Sequence, residues 1–370
     1  MNVLVTGANG FIGQNLRLKL RETPGFQVLS FTRDNSESEL QEQVSQADFI
    51  IHLAGVNRPD NPSEFESVNA GLTRTILEFA RFTGHPVPVI FTSSTQAEME
   101  NPYGASKLTA EQELKRYSSE TGSPVYIYRL ANVFGKWCRP EYNSVVATFC
   151  HHIANELPIE IHDPSTNLKL VYIDDVIDSF LITLKEGGNG VHFRSIDPVY
   201  RVTLGELAIQ IHRFKESRDT LLTESVGNGL TRALYATYLS YLEPSEYIYS
   251  LDEHVDDRGK FVEFLKTKSS GQFSFFTAKP GVTRGGHYHH TKSEKFLVVQ
   301  GVALFKFRHI QTGRHHEITV SGVNSQVVET IPGWAHDITN IGNEELIVLL
   351  WANEIFDPDL PDTIGASLDD

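Results

Sequence analysis

The order in which hydrophobic patterns follow one another limits the fold of this chain more than any single motif does. Up to about residue 245, short apolar runs alternate with helix-length amphipathic stretches. "MNVLVTG", "FQVLSFT", "ADFIIHLAG", "PVPVIFTSS" and "PVYIYRLANVFG" read as five strands. "FIGQNLRLKLRE", "ESVNAGLTRTILEFARF" and "YGASKLTAEQELKRYSSE" read as helices between them, with apolar residues at three- and four-residue intervals. Strands apolar along their whole length and separated by helices imply a parallel sheet covered on both faces, an α/β doubly wound fold of Rossmann type. After residue 240 the helical period fades. Short runs such as "GKFVEFLKT", "GQFSFFTAKPG", "EKFLVVQG", "VALFKFRHI", "HHEITVSG", "SQVVETIPG" and "LIVLLWA" recur between turn residues, the pattern of an all-β sandwich or barrel. The joint is placed at "LEPSEYIYS", Leu242 to Ser250, giving an expected first domain over residues 1–245 and a second over 246–370.

Bulk properties remove several classes of function. A length of 370 residues accommodates two cores. A net charge of −15 argues against nucleic acid or an anionic membrane as partner, because both are bound through basic surface. Cys138 and Cys150 are too few for a disulfide framework. The first residues carry no basic stretch leading into a long apolar run, and no segment approaches the length of a membrane span. A cytoplasmic protein is expected.

Two clusters of chemistry stand far apart in the chain. In "VTGANGFIGQN", Gly7, Gly10 and Gly13 follow a strand and open a helix, where missing side chains let the backbone approach a pyrophosphate at the positive helix end. The second strand ends "FTRDN"; Arg33 ahead of Asp34 favours the 2′-phosphate of NADPH. Tyr103 and Lys107 are four apart, on one face of a helix, suited to proton transfer to a carbonyl oxygen as hydride reaches carbon. "TSST" ends the strand before them and offers a hydroxyl to orient that carbonyl. These residues, with "TGANGFIG", "IIHLAG", "YGASK", "RLANVFG" and "VYIDDV", resemble the extended short-chain dehydrogenase/reductase family over roughly residues 1–245. The resemblance implies a catalytic group of Ser94, Tyr103 and Lys107, with Ser93 the alternative hydroxyl. It also implies NADPH held by Gly7, Gly10, Phe11, Ile12, Gly13, Arg33, Leu53, Ala54, Gly55 and Asn69, together with Tyr103 and Lys107. Only eight residues separate Ser94 from Tyr103, fewer than is usual in the sugar epimerases of that family.

The second cluster is "RGGHYHHTKSEKFLVVQG". His287 and His289 alternate, so on a strand both imidazoles share a face; Glu294 follows, and His336 lies in "PGWAHDITN". Histidines with one carboxylate form a ligand set for zinc or another divalent metal. The spacing from Gly281 through His287, His289 and Glu294 to Gly301 resembles the first cupin motif, and Pro332, Gly333, His336 and Asn340 resemble the second. His290, His309, His315 and His316 are expected at solvated turns or on the opposite strand face, and His151 and His152 have no metal-type partner nearby in sequence. "GVTRGGHYH" and "DDRGKFVEF" also resemble the metal-free dTDP-sugar 3,5-epimerases, in which the corresponding histidine is a base, so His287 is either ligand or base.

The two clusters belong to compatible chemistry. A proton beside a sugar ketone is acidic enough for a positioned base, and reducing the ketone afterwards locks the inverted centre. The whole layout resembles the family of bifunctional capsular-polysaccharide reductase/epimerases. That resemblance implies C3 epimerisation of a UDP-4-keto-6-deoxy-N-acetylhexosamine in a zinc-holding cupin, then C4 reduction with NADPH in the first domain. The implied product is UDP-2-acetamido-2,6-dideoxy-L-talose, for N-acetyl-L-fucosamine and capsule synthesis, and the implied assembly is a homodimer. Two other readings stay open: a sugar reductase whose barrel only binds sugar and dimerises, and an NADPH-sensing regulator without turnover. The intact ligand set speaks against the first and the intact Tyr103/Lys107 pair against the second.

Overall fold

The computed structural model describes residues 1–57, 61, 64–252, 254–256, 259–261, 265–267, 271–354 and 359–368. The chain begins with β1 (Asn2–Thr6), α1 (Phe11–Glu22), β2 (Gln27–Phe31), α2 (Glu37–Gln46) and β3 (Phe49–His52). A π-helical turn, Phe65–Gly71, leads into α3 (Leu72–Arg81), then β4 (Val89–Ser94), α4 (Pro102–Thr121), β5 (Val125–Leu130) and β6 (Asn132–Phe134). Next come α5 (Val145–Ala154), β7 (Asn167–Tyr172), α6 (Ile173–Thr183), β8 (Val191–Arg194), β9 (Tyr200–Thr203), α7 (Leu204–Thr220), β10 (Leu222–Thr223) and α8 (Gly229–Leu239). The rest is strand: β11 (Ile248–Ser250), β12 (His254–Asp256), β13 (Gly259–Phe261), β14 (Lys266–Thr267), β15 (Gln272–Ala278), β16 (Thr283–Tyr288), β17 (Glu294–Gln300) and β18 (Val302–His309). It closes with β19 (His315–Ser321), β20 (Gln326–Glu329), β21 (Trp334–Asn340), β22 (Leu346–Ala352) and β23 (Ile364–Gly365).

These elements form two compact units. The first comprises Met1–Phe134 and Leu168–Arg201, the second Gly135–Asn167 and Val202–Asp370. The expected joint at Leu242–Ser250 thus falls inside the second unit, because α5, α7 and α8 group with the strands that follow them. No helix among the described residues is long and apolar enough to cross a membrane.

The first unit is the expected parallel sheet, in the order β2-β1-β3-β4-β5-β8. Its central strands β1, β3, β4 and β5 are buried on both faces, as their unbroken apolar runs require, whereas the edge strands β2 and β8 are part-exposed; Leu4, Ile50, Val89, Phe91 and Ile127 pack against Leu40, Ile76, Leu77, Leu114 and Tyr117 of the helices. The order reverses between β1 and β3, which opens a crevice at the carboxyl ends of those strands. The single strand expected from Pro124 to Gly135 is instead two, because β6 leaves the main sheet and pairs with β7. Apolar continuity does not reveal which sheet a residue joins.

In the second unit, two five-stranded antiparallel sheets carry most of the strands, ordered β11-β20-β17-β22-β15 and β19-β18-β21-β16-β23. Their inner faces meet through Phe296 of β17 and Phe305 of β18, whose ring centroids lie 5.7 Å apart. Of the expected strand "GKFVEFLKT", Gly259–Phe261 and Lys266–Thr267 are extended, and residues 262–264 lie outside the described residues. On the outward side of β17, Lys295 meets helical residues of the same unit. Its ammonium lies 2.7 Å from Glu329, which also accepts from Arg218 of α7.

Candidate functional site

The glycine turn after β1 is shaped by close backbone approach. A Cβ on Gly13 would sit 2.3 Å from the Gly7 carbonyl oxygen, and Gly7 adopts a φ of +65°. Gly10 is extended and precedes the first helical residue, with its N–H donating to Gly7 O and no side chain capping α1. The free N–H groups around Phe11 and Ile12 are the donors a pyrophosphate uses. Arg33 stands exposed just beyond β2, and Leu53, Ala54 and Gly55 follow β3, so these expected cofactor residues converge on the carboxyl ends of β1 to β3.

A buried relay fixes that crevice. The Thr6 hydroxyl accepts from Leu53 N and Ala54 N at 3.2 Å each, and lies 2.7 Å from His52 Nδ1. With two N–H donors already on its oxygen, Thr6 donates to Nδ1, which leaves Nε2–H to donate to Thr73 Oγ1 at 2.9 Å. Thr73 in turn donates to Asn69 O at 2.6 Å. Burial, followed by the charge of Lys107, lowers the His52 pKa to about 3, consistent with a neutral ring. Asn69 lies in the π-helical turn; its amide accepts from Val56 N at 2.8 Å and donates to Ser106 Oγ at 2.9 Å. Sequence reading found Asn69 by motif but missed Thr6, His52 and Thr73, whose partners lie tens of residues away.

Helix α4 begins where Asn101 Oδ1 accepts from Gly104 N at 2.8 Å, with Pro102 in the first turn. That start puts Tyr103 in the first turn and Lys107 one turn on. Lys107 is buried, donates to Thr92 O at 2.9 Å, and lies 6.0 Å from the Tyr103 ring centroid. Burial, partly offset by Glu111, lowers its pKa to about 8. Burial raises the Tyr103 pKa, and the Ser94 hydroxyl opposes that rise. The ammonium is turned towards the Thr92 carbonyl. The two candidate hydroxyls also separate. Ser93 donates to Glu111 at 2.6 Å, and Arg129 grips the same carboxylate at 2.9 and 2.7 Å, so Ser93 is built into the core. Ser94 is the one that reaches Tyr103.

In the second unit, β16 and β21 bring the histidines together. Gly285 pairs with Asp337 and His287 with His336, so Gly286 is an extra residue in the ladder, a bulge. Gly285 has a φ of +107°, and a Cβ there would lie 3.0 Å from His336 O. Past the bulge, His287 stands opposite His336, and the two ring centroids are 4.7 Å apart. His289 and Glu294 complete the group: one donor atom from each of the four lies within 4.8 Å of the others. Glu294 Oε2 is 3.1 Å from His289 Nε2 and 3.3 Å from His336 Nε2, and Lys292 Nζ is 3.3 Å from the other carboxylate oxygen.

The electrostatics favour a cation. Burial, then the neighbouring His336 and His289, lowers the His287 pKa to about 4, and burial lowers that of His336. Burial alone would raise the Glu294 carboxyl, yet His289 and His336 hold it well below its ordinary range. Burial that disfavours the charged forms of His287 and His336, beside an ionised Glu294, suits a divalent metal. His336 is buried, and its Nε2 faces the Glu294 carboxylate at 3.3 Å without the geometry of a hydrogen bond, as suits a ligand whose natural partner is an ion.

The remaining histidines divide between burial and exposure. His290 is buried, its ring 5.7 Å from that of Tyr288, because the segment around Asp362 folds over it. His309 is half-buried against Trp334 and Trp137, and burial lowers its pKa to about 4. His315 is exposed, as expected. His152 is tied to Glu141 and the Pro158 carbonyl at 2.8 Å each.

Comparison with known proteins follows the same division. Residues 3–197 match the NAD dependent epimerase/dehydratase family, and residues 254–364 match the polysaccharide biosynthesis C-terminal domain. A UDP-2-acetamido-2,6-beta-L-arabino-hexul-4-ose reductase of Pseudomonas aeruginosa is 53% identical over 368 residues, covering 100% of this chain and 99% of that protein. Among solved structures, the capsular polysaccharide assembling protein CapF from Staphylococcus aureus matches with a TM-score of 0.68 at 42% identity, over 99% of this chain and 100% of that one. A UDP-glucose 4-epimerase from Thermotoga maritima matches in fold alone, with a TM-score of 0.52 and 24% identity over 58% of this chain and 82% of that one.

Proposed function

Because the chain belongs to the NAD dependent epimerase/dehydratase family, we propose that it is a bifunctional UDP-sugar enzyme that epimerises a 4-keto sugar and then reduces it. The substrate is a UDP-4-keto-6-deoxy-N-acetylhexosamine. Carbon 3 is inverted in the cupin of residues 246–370, and carbon 4 is reduced by residues 1–245. The product is UDP-2-acetamido-2,6-dideoxy-L-talose, for N-acetyl-L-fucosamine and capsule synthesis, and the working form is a cytoplasmic homodimer. The observation that carries this reading is the presence in one chain of two complete sets, Ser94/Tyr103/Lys107 and His287/His289/Glu294/His336. A relative named for a hexul-4-ose reductase aligns with the chain from end to end, which supports the same reading.

In the first unit, the Ser94 hydroxyl and the Tyr103 phenol both address the oxygen of the C4 ketone. NADPH, when held by the glycine turn and Arg33, supplies the hydride. Tyr103 gives its proton to the carbonyl oxygen, and Lys107 keeps positive charge one helical turn away, where the phenolate left behind is stabilised. In the barrel, His289, Glu294 and His336 would hold zinc, with His287 either the fourth ligand or the base that takes the C3 proton. Zinc bound there supplies positive charge beside the oxygen that turns anionic when that proton leaves. Inversion must come first, since the C3 proton loses its acidity once the ketone is an alcohol.

The test follows the 4-keto sugar by NMR in deuterated water, with and without NADPH. Deuterium should enter carbon 3 without NADPH, persist in Tyr103→Phe and vanish in His289→Ala. Reduction should fall about 10²–10⁴-fold in Tyr103→Phe. A wild-type enzyme that consumes NADPH and never exchanges the C3 proton would make the barrel a binding module and defeat the proposal.

A further inference from the structure

The loop that joins β16 to β17 carries two of the candidate metal ligands at its ends, His289 and Glu294, and its backbone is held by one distant residue. The N–H of His290 donates to Asp362 Oδ1 at 2.8 Å, and the N–H groups of Thr291 and Lys292 both donate to Oδ2 at 2.7 Å. The Thr291 hydroxyl adds a bond to Oδ2 at 3.0 Å. The same residue meets the ligand itself: His289 Nδ1 is bonded to the Asp362 carbonyl oxygen.

Asp362 is fixed in turn by its neighbours. Ile364 and Gly365 pair with Tyr288 and His287, Ala366 N donates to Gly286 O at 2.9 Å, and Arg308 donates to Ser367 O at 2.9 Å. Its side chain is only 14% exposed, and Arg232 of α8 lies 3.9 Å from it. A carboxylate that accepts from three successive amides of one short loop is a rigid fastening, and here that loop spans the ligand pair.

We propose that Asp362 is the positioning residue of the barrel's metal centre, aiming His289 through its carbonyl and fixing the His289–Glu294 loop through its carboxylate. With Nδ1–H committed to a carbonyl, His289 carries its lone pair on Nε2, the nitrogen 3.1 Å from Glu294. Loss of the carboxylate frees three amides, lets the loop move, and takes the carbonyl away from His289. The inference rests on the metal reading of the four-residue cluster.

The test uses the full chain, stripped of metal and titrated with cobalt(II) and zinc(II) against a chromophoric chelator. Asp362→Ala should weaken metal binding by about 10- to 100-fold. Asp362→Asn, which keeps one acceptor oxygen and nearly the same shape, should show a smaller loss. The visible cobalt spectrum should change in Asp362→Ala and partly recover in Asp362→Asn, whereas NADPH affinity stays at the wild-type value in both. If Asp362→Ala does not fold, Asp362→Asn decides alone. Wild-type metal affinity together with an unaltered cobalt spectrum in a folded variant overturns the inference. A wild-type chain that takes up neither metal overturns the metal reading itself, and this inference with it.

Discussion

Lys107 is a cation that the fold has taken out of water, and its consequences can be measured. Its charged form is lost above about pH 8, whereas an unburied lysine keeps its proton to its ordinary value of 10.5. The ketone reduction should therefore slow as pH rises through about 8, at saturating NADPH, in a profile of kcat against pH. A rate that stays level to pH 10 would show that the Lys107 charge has no part in the step. Residues like this were legible in the sequence because their spacing lies on one regular helix. The Thr6–His52–Thr73 relay was not, since its members are joined across 46 and 21 residues by tertiary contact alone. Asp362 lies 72 residues from the His290 amide it accepts, in a stretch with no regular period to mark it. Ser94 and Ser93 were separable only once Glu111 and Arg129 were seen to claim Ser93.

Among the elements, β16 shows how local chain geometry is spent on chemistry. Alternation predicted correctly that His287 and His289 share a face, but it did not foresee the bulge that puts His287 opposite His336. Gly285→Ala would force a side chain onto a φ of +107° and against the His336 carbonyl. A cost of about 1–3 kcal/mol is expected in denaturant unfolding, with weaker metal uptake in the same protein. Unchanged stability would mean that β16 re-forms without its bulge. The helix expected over Glu66–Phe82 is likewise real, but its first part, up to Gly71, winds as a π-helical turn. Amphipathic period alone does not distinguish the two windings, and the wider one carries Asn69.

At the scale of the whole molecule, the second unit is locked by charge as well as by apolar packing. Burial would raise the Glu329 carboxyl, but Arg218 and Lys295 hold it at about 2, against an ordinary 4.5. Its contribution is therefore complete above about pH 4.5 and is lost as pH falls towards 2. Glu329→Gln leaves two buried cations without their counter-charge and should destabilise the protein by about 3–5 kcal/mol. Urea unfolding at neutral pH would read the loss directly, and a variant as stable as wild type would assign the lock to apolar contact instead. The fold class was readable from the order of hydrophobic patterns. The grouping of α5, α7 and α8 with the strands was not, because helices on either side of a boundary carry the same period. The path of the chain has one more result. It passes from one unit to the other after Phe134, returns after Asn167, and leaves again after Arg201. The reductase and the barrel are therefore not two beads on a string that shears or clones apart at one cut. A fragment ending near residue 245 would take more than a third of the second unit with it, its helices stripped of their strands, and the activities are better separated by point substitution than by scissors.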